Sequence, residues 1–430
     1  MDYATTLDYL YGLQRFGVKL GLHNMQTLCR RIPSLQKPLA CVHVAGTNGK
    51  GSVSMMLAEI LRHAGLTVGL YTSPHLLCFN ERIRINGTPV SQDQIIHYAE
   101  IVRRAAAGIP ATFFEVTTAM ALLAFRQQPV DIAVIETGLG GRLDATNIIH
   151  PQLCLVTPIS QDHAEQLGES LSAIAGEKAG IFKPGVPVVI GKQPPEALAV
   201  LRERAAACGA MVVQAGADYC WQGEGDTIDF ALHGECLDRL PCPLAGRHQK
   251  DNFAQAIAAA MGLRKQGVPI PDLAVRSAGR TTVWPGRLEW LGAERKVLTD
   301  VAHNQAGMAS LVAYLEEVGL HRVQLIVGLS GGRDPEKVLL PLEKIAGAVY
   351  AVPISDGNGI APSRIVTWAH AHQLKAKACD SVVAALEEAL QHADVSHPVV
   401  VCGSIYLVAE LQQCLRAGQF RFLRDCSDCC

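Results

Sequence analysis

The chain has 430 residues, 49% hydrophobic and 18% charged, with a formal net charge of −2. That length exceeds what one hydrophobic core usually holds, so two domains are expected, and the near-neutral charge excludes a nucleic-acid binder that works through a basic surface. No window approaches the ~18 uninterrupted apolar residues of a membrane span, and the N-terminus lacks the basic-then-apolar layout of a signal peptide, so a cytoplasmic protein is expected.

In chain order, LACVHVA, LTVGLY, VDIAVIE and LCLVTPI are short, apolar and rich in β-branched residues. This is the pattern of strands buried on both faces in a parallel sheet. Helical stretches such as SVSMMLAEILRHAG, with Gly65 as its C-cap, and FFEVTTAMALLAFRQ lie between them. The alternation predicts a doubly wound α/β fold. A second β/α series starts near Val297 with KVLTDVAH, VQLIVGLS, AVYAVPIS and PVVVCGS. Between the two series, TTVWPGRLEWLGAERK reads as a linker punctuated by Pro285-Gly286. The predicted division is an N-terminal domain 1–283, a linker 284–296 and a smaller C-terminal domain 297–430. Of the 14 cysteines, Cys41, Cys154 and Cys402 sit in apolar runs and read as buried small hydrophobes. Cys426, Cys429 and Cys430 cluster in the tail, read as oxidisable thiols or as part of a metal site that lacks its fourth ligand.

The chemistry gathers after the first strand, at Gly46-Thr47-Asn48-Gly49-Lys50-Gly51-Ser52. Glycines there allow turns that aim consecutive N–H groups at phosphate oxygens, and the helix N-terminus and Lys50 add positive charge. The loop departs from G-x-x-x-x-G-K-[ST], because Gly51 stands where a magnesium-holding hydroxyl would follow the lysine. Polar residues follow the next strands too: Thr72-Ser73-Pro74-His75, Glu136-Thr137-Gly138 and Ser160-Gln161-Asp162-His163. Ligands collect beyond the carboxyl ends of parallel strands. Glu136 directly follows an apolar run and reads as a functional acid or as a cap or ion-pair partner. His163 reads either as a ligand or as a hydrogen-bonded strand-end histidine, and it is an unusual magnesium ligand. Lys178, within GEKAGIFKPG, reads from the residues alone as a solvated charge. Asn252 reads as the N-cap of an alanine-rich helix. Asp300, His303 and Asn304 end the second series' first strand, and Arg287 lies in the linker, where it could bind phosphate in an interdomain cleft.

Together HVAGTNGKGSV, YTSPHLLCFNERIRING, TFFEVTTAMALLAF, ETGLGGRLDATN, DHAEQLGESLSAIAGEKAGIFKPG, LTDVAHNQAG and VVVCGSIYLVAEL resemble the Mur ligase superfamily. Within it they resemble the folylpolyglutamate synthase/dihydrofolate synthase family. The resemblance implies an N-terminal P-loop ATPase domain with a mainly parallel sheet and a C-terminal Rossmann-like domain. It implies a monomer that adds L-glutamate to dihydropteroate or reduced folates through an acyl phosphate, with ATP as co-substrate and two magnesium ions. By position, residues 46–52 match the loop that holds ATP phosphates, and Asn252, Arg287 and Asp300 match ATP contacts. Ser73, Glu136 and His163 match magnesium ligands, and His303 a neighbouring catalytic position. Thr112, Phe113, Phe114 and Glu115, with Leu143, Asp144 and Ala145, match the pterin-side surface. Lys178 matches a lysine carried as a carbamate. One departure is VGLSGGRDPEKVL, where relatives often carry an aspartate- and lysine-rich turn.

A peptidoglycan-precursor ligase is a rival reading, but 45 residues before Gly46 fall short of the ~100 of an added substrate domain. A nucleotide-binding protein without catalysis is the rival from another class.

Overall fold

A computed structural model describes residues 1–17, 21–355, 358–420 and 423. The chain divides into one unit of Met1–Pro243 with Gln249–Thr282 and another of Leu244–His248 with Val283–Cys430. Cys426, Cys429 and Cys430 lie outside the described residues.

The first unit is built on eight strands: β1 (Cys41–Ala45), β2 (Val68–Tyr71), β3 (Ile83–Ile85), β4 (Thr88–Pro89), β5 (Ile132–Glu136), β6 (Leu153–Val156), β7 (Val188–Ile190) and β8 (Val212–Gln214). Their order is β4-β3-β2-β5-β1-β6-β7-β8. Pairing is parallel from β2 through β8, and β3 and β4 add an antiparallel edge. Every residue of β1, β5 and β6 is buried, as their unbroken apolar runs predict.

The helices that cover the sheet are equally apolar. Phe113–Gln127 buries Glu115 to Phe125 without interruption. It starts at a reciprocal cap, in which Thr112 and Glu115 each accept the other's backbone N–H. Its Phe125 ring lies against Gly69 of β2 so closely that a Cβ there would come within 2.7 Å of the ring. The helix Lys50–His63 ends at Ala64, and Gly65 takes the left-handed position beyond it at φ +88°. The glycine expected at the C-cap therefore stands one residue further on, where a Cβ would be strained.

A separate meander of β9 (Tyr219–Gln222), β10 (Thr227–Leu232) and β11 (Glu235–Pro241) precedes the long helix Arg247–Lys265. Its alternating burial in β10 shows a half-covered antiparallel sheet.

The second unit carries a six-stranded sheet of β12 (Glu289–Leu291), β13 (Val297–Thr299), β14 (Val323–Val327), β15 (Ala346–Ala351), β16 (Lys375–Ala378) and β17 (Val399–Cys402). The order is β12-β13-β17-β14-β15-β16, parallel except for β12. The segment 284–296 is thus more than a connection. Leu288 and Leu291 are buried, the Trp290 indole donates to the Tyr314 hydroxyl, and β12 pairs with β13. Two buried leucines and a ladder outweigh the Pro-Gly punctuation that suggested a linker.

Among the described residues no helix is long and apolar enough to cross a membrane. Replacing Phe125 by Ala should destabilise the first unit by about 3–5 kcal/mol, the usual cost of emptying a buried aromatic site. The measurement is the urea midpoint of that unit's transition, and an unchanged midpoint would show the ring to be dispensable.

Candidate active site

The carboxyl ends of β2, β5, β1 and β6 lie side by side, and each delivers polar groups to one edge of the sheet. After β1 the chain makes the turn 46–49. Gly46 has φ +145°, and a Cβ on it would stand 1.8 Å from the Thr157 Oγ1, so only glycine fits. Gly49, at φ +86°, would bring a Cβ within 2.5 Å of Asn252 Oδ1. The N–H groups of Thr47 and Asn48 donate to the Pro158 carbonyl at 3.1 and 3.3 Å, and Thr47 Oγ1 exchanges two hydrogen bonds of 3.1 Å with the Ser160 backbone. The loop is held on one side by the segment after β6 and on the other by the long helix.

Lys50 turns back on this loop, with its Nζ 3.2 Å from the carbonyl oxygens of both Gly46 and Thr47. Lys178 Nζ donates to the same Gly46 oxygen at 2.7 Å. Lys178 lies near the end of the helix Leu171–Ala179 and is 4% exposed. That helix end is seated on the turn after β5: Arg142 N donates to Glu177 O at 2.7 Å, and a Cβ on Gly141 would come within 2.8 Å of the Glu177 and Lys178 carbonyl oxygens. Burial, reinforced by the Lys50 charge, pushes the Lys178 pKa down to about 7. The lysine that read as a solvated charge is instead a buried amine, because the apolar run SLSAIAGEKAGIF turns its helix inward.

Glu136 ends β5 at 3% exposure, and its Oε2 accepts the Ser73 N–H at 3.1 Å. Ser73 follows β2, the neighbour of β5, so the Glu136 carboxylate meets the Ser73 backbone at adjacent strand ends. His163 is the residue before the short helix Ala164–Leu167, at φ +51°, with its ring nitrogen 3.8 Å from the Asp162 carboxylate and its side chain half exposed. Among the described residues no cluster of three His, Cys, Asp or Glu side chains is assembled. Magnesium needs no such cluster, since it usually keeps waters and substrate oxygens and takes one or two carboxylates from the protein. The oxygen set of Glu136 and Ser73 fits that ion, whereas the His163 nitrogen is the less suited donor.

Asn252 differs from its predicted place. The helix begins at Arg247, so Asn252 lies inside it, buried, with its Nδ2 donating to Gln249 Oε1 at 2.9 Å and its Oδ1 against Gly49. Its helix partner Gln255, which no sequence pattern had marked, donates to the Val156 and Val189 carbonyls. A glutamine inside an alanine run gives no sign of bridging two strand ends.

Glu115 accepts from Asn24 Nδ2 at 3.1 Å, Phe113 stacks on Tyr11 with centroids 5.9 Å apart, and the Arg82 guanidinium lies 5.1 Å from the Phe113 ring. Phe114 covers Gly138 and packs near Tyr71. Arg82 also donates to His75 Nδ1 at 2.8 Å. Burial and that neighbouring cation push the His75 pKa down to about 4. Leu143, Asp144 and Ala145 follow the glycine turn, and Asp144 is turned inward, its carboxylate accepting the N–H groups of Gly138, Leu139 and Thr146.

Arg287, Asp300 and His303 belong to the second unit. The Asp300 carboxylate accepts the N–H groups of Leu288 at 2.9 Å and Ala302 at 2.8 Å. His303 Nδ1 lies 2.9 Å from the Val301 carbonyl, and Asn304 caps the helix Gln305–Glu317.

Residues 44–260 match the Mur ligase middle domain, and residues 286–405 the Mur ligase, glutamate ligase domain. The chain is 37% identical over 364 residues to a dihydrofolate synthase/folylpolyglutamate synthase of Bacillus subtilis (strain 168), covering 81% of this chain and 84% of that protein. It is 33% identical to a folylpolyglutamate synthase of Lacticaseibacillus casei, covering 97% of this chain and 100% of the relative. Among solved structures, Escherichia coli FolC in complex with DHPP and ADP superposes with a TM-score of 0.88 at 30% identity, covering 97% of this chain and 99% of that one.

The Lys178 amine should lose its proton near pH 7 and be charged below that pH. Side-chain NMR of ¹⁵N-lysine protein in carbon-dioxide-free buffer, where the amine carries no carbamate, should find that midpoint, and Lys50→Met should raise it, because removing a like charge favours protonation. A Lys178 midpoint near the ordinary ~10.4 of lysine would refute the buried-amine assignment.

Proposed function

Since this chain belongs to the Mur ligase family, on its dihydrofolate synthase/folylpolyglutamate synthase branch, we propose that it joins L-glutamate to a folate-type carboxylate at the expense of ATP. The acceptors are dihydropteroate and reduced folates. The single observation that carries this reading is the convergence of Lys50 and Lys178 on the Gly46 carbonyl, in a turn open only to glycine, beside the strand end that bears Glu136.

A carboxylate is a poor acylating agent, and phosphorylation makes one of its oxygens a leaving group. In the first step the acceptor carboxylate attacks the γ-phosphorus of ATP, ADP departs and an acyl phosphate forms. In the second, the glutamate amine attacks the acyl carbon, phosphate leaves and the amide remains. Residues 46–52 hold the phosphate chain, chiefly through N–H groups at the start of the helix Lys50–His63 since those of Thr47 and Asn48 are bound to Pro158, and Lys50 meets charge that develops on the transferred phosphoryl group. That ammonium now rests on two carbonyl oxygens, which a phosphate oxygen would replace as its partner. Glu136, Ser73 and His163 would hold magnesium, as two ions, which would supply positive charge to offset that of the phosphates. Asn252 in the first unit, and Arg287 and Asp300 in the second, are assigned to ATP by the family match, and His303 to a catalytic position. Thr112 to Glu115 and Leu143 to Ala145 form the pterin side. The enzyme acts in the cytoplasm as a monomer.

Lys178 works as a carbamate. Its neutral amine attacks carbon dioxide, a new N–C bond forms as one C=O π bond opens to C–O⁻, one proton is released, and a neutral group becomes an anion with two oxygen atoms. The depressed pKa supplies the neutral amine at physiological pH, and the anion removes repulsion with Lys50.

The decisive assay is ADP release that depends on glutamate, with dihydropteroate and tetrahydrofolate offered separately. Both acceptors should support turnover at one site, and activity with only one would reduce the assignment to a single addition. Lys50→Ala should lower kcat by roughly 10²-fold or more, as losing one charge-stabilising donor does, whereas a normal kcat with only a raised ATP KM would refute its role. Lys178→Ala should be nearly inactive and partly rescued by short carboxylic acids. Near-normal kcat of this variant in bicarbonate-depleted buffer would rule out the carbamate.

A further inference from the structure

The 3₁₀ turn Ala145–Ile148 lies between β5 and β6. Its three polar residues, Asp144 just before it and Thr146 and Asn147 within it, are all buried. Their hydrogen bonds leave the turn in three directions.

Asp144 Oδ2 accepts the N–H groups of Gly138 at 3.0 Å and Leu139 at 2.8 Å, so it holds the chain that begins two residues after Glu136. Its Oδ1 accepts from the Thr146 N–H at 2.9 Å and from the Thr146 hydroxyl. The same hydroxyl oxygen lies 2.8 Å from Nε2 of His43, wholly buried on β1 three residues before Gly46. Asn147 Nδ2 donates to the carbonyls of Arg142 at 2.9 Å and Gly180 at 3.1 Å, the latter two residues beyond Lys178. Asn147 Oδ1 accepts the Lys183 ammonium at 2.8 Å.

The proton count fixes the direction of this chain. Thr146 has one hydroxyl proton and gives it to Asp144, so His43 must donate through Nε2–H. Burial holds the imidazole neutral, and a single tautomer suffices. A turn cap would confine its bonds to neighbouring residues. Here the partners are 103 and 33 positions distant, on the strand that leads into the phosphate loop and behind the Lys178 helix.

We propose that Thr146, with His43 and Asn147, is a positioning device that sets the Glu136 turn and the Lys178 helix against the phosphate-loop strand. None of the three touches the reacting atoms. Each acts through a segment that bears a reacting group. The proposal rests on the ligase reading above.

Thr146→Val keeps the shape and removes the hydroxyl, leaving the Asp144 oxygen and the His43 N–H each short of a partner. Misplacement of about 1 Å can cost ~10² in rate. The valine variant should therefore lose roughly 10- to 100-fold in kcat, with ADP affinity by calorimetry within about twofold of the parent. Thr146→Ser should restore at least about half of the lost activity, because the hydroxyl returns. His43→Phe combined with Thr146→Val should be no slower than the slower single variant, as expected for two members of one chain of bonds. Asn147→Ala tests the independent arm, should the valine variant not fold, and is expected to lower kcat about fivefold or more with ADP binding retained. A valine variant with parental kcat, a serine variant as slow as the valine, multiplicative losses in the double variant, or an Asn147→Ala of parental kcat would each overturn the positioning role. Absence of glutamate-dependent turnover in the parent would instead overturn the ligase reading.

Discussion

Two lysine side chains meet on one carbonyl oxygen, that of Gly46, and the first unit is arranged around making this contact possible. Two ammonium ions at such a point repel each other, and a buried cation without a counter-charge is costly. Relief comes in part from Lys178, which gives up its proton far more readily than an ordinary lysine. The carbonyl is available because the turn lies flat against Thr157 with no Cβ between them. The flatness follows in turn from the parallel pairing of β1 with both β5 and β6, which fixes how the chain leaves the central strand. With Lys178 neutral, Lys50 is the cation that remains on the Gly46 carbonyl.

The sheet was legible because its strands carry their own signal. VDIAVIE and LCLVTPI are apolar on both faces, and only a strand covered on both sides tolerates that. The turn 46–49 was legible for a similar reason, since Gly46 and Gly49 mark positions that a side chain cannot occupy. Lys178 and Asn252 were not legible from local pattern. A lysine beside a glutamate looks solvated, and only the packing of Gly141 and Gly180 around the turn after β5 shows that its helix end is inside. An asparagine before an alanine run looks like a cap, and only the earlier start of the helix, at Arg247, moves it into the barrel of the helix. Family resemblance pointed to both positions, but the physical reasons for them lie in tertiary contacts.

The second unit shows the opposite error. Pro285-Gly286 suggested a break in structure, yet three residues later the chain enters a ladder and Leu288 is covered. Turn chemistry marks where a chain bends, and it says little about whether the bend belongs to a domain or to a connection. Asp300 repeats the theme of Asp144: each carboxylate accepts backbone N–H groups that hold a strand end in shape. Both acids shape the chain through its own backbone N–H groups.

The thiols divide along the same lines of burial. Cys41 on β1 and Cys154 on β6 are wholly covered, and burial pushes both thiols up to about 12, while Cys402 on β17 is equally enclosed. Cys78, Cys220 and Cys236 are exposed. An alkylating reagent therefore reaches this second group, while the three enclosed thiols stay unlabelled as long as the protein is closed, because a protonated, enclosed sulfur does not react. The two large sheets carry silent reporters, Cys41 and Cys154 in the first unit and Cys402 in the second, and the order in which they become labelled under denaturant would record which unit opens first.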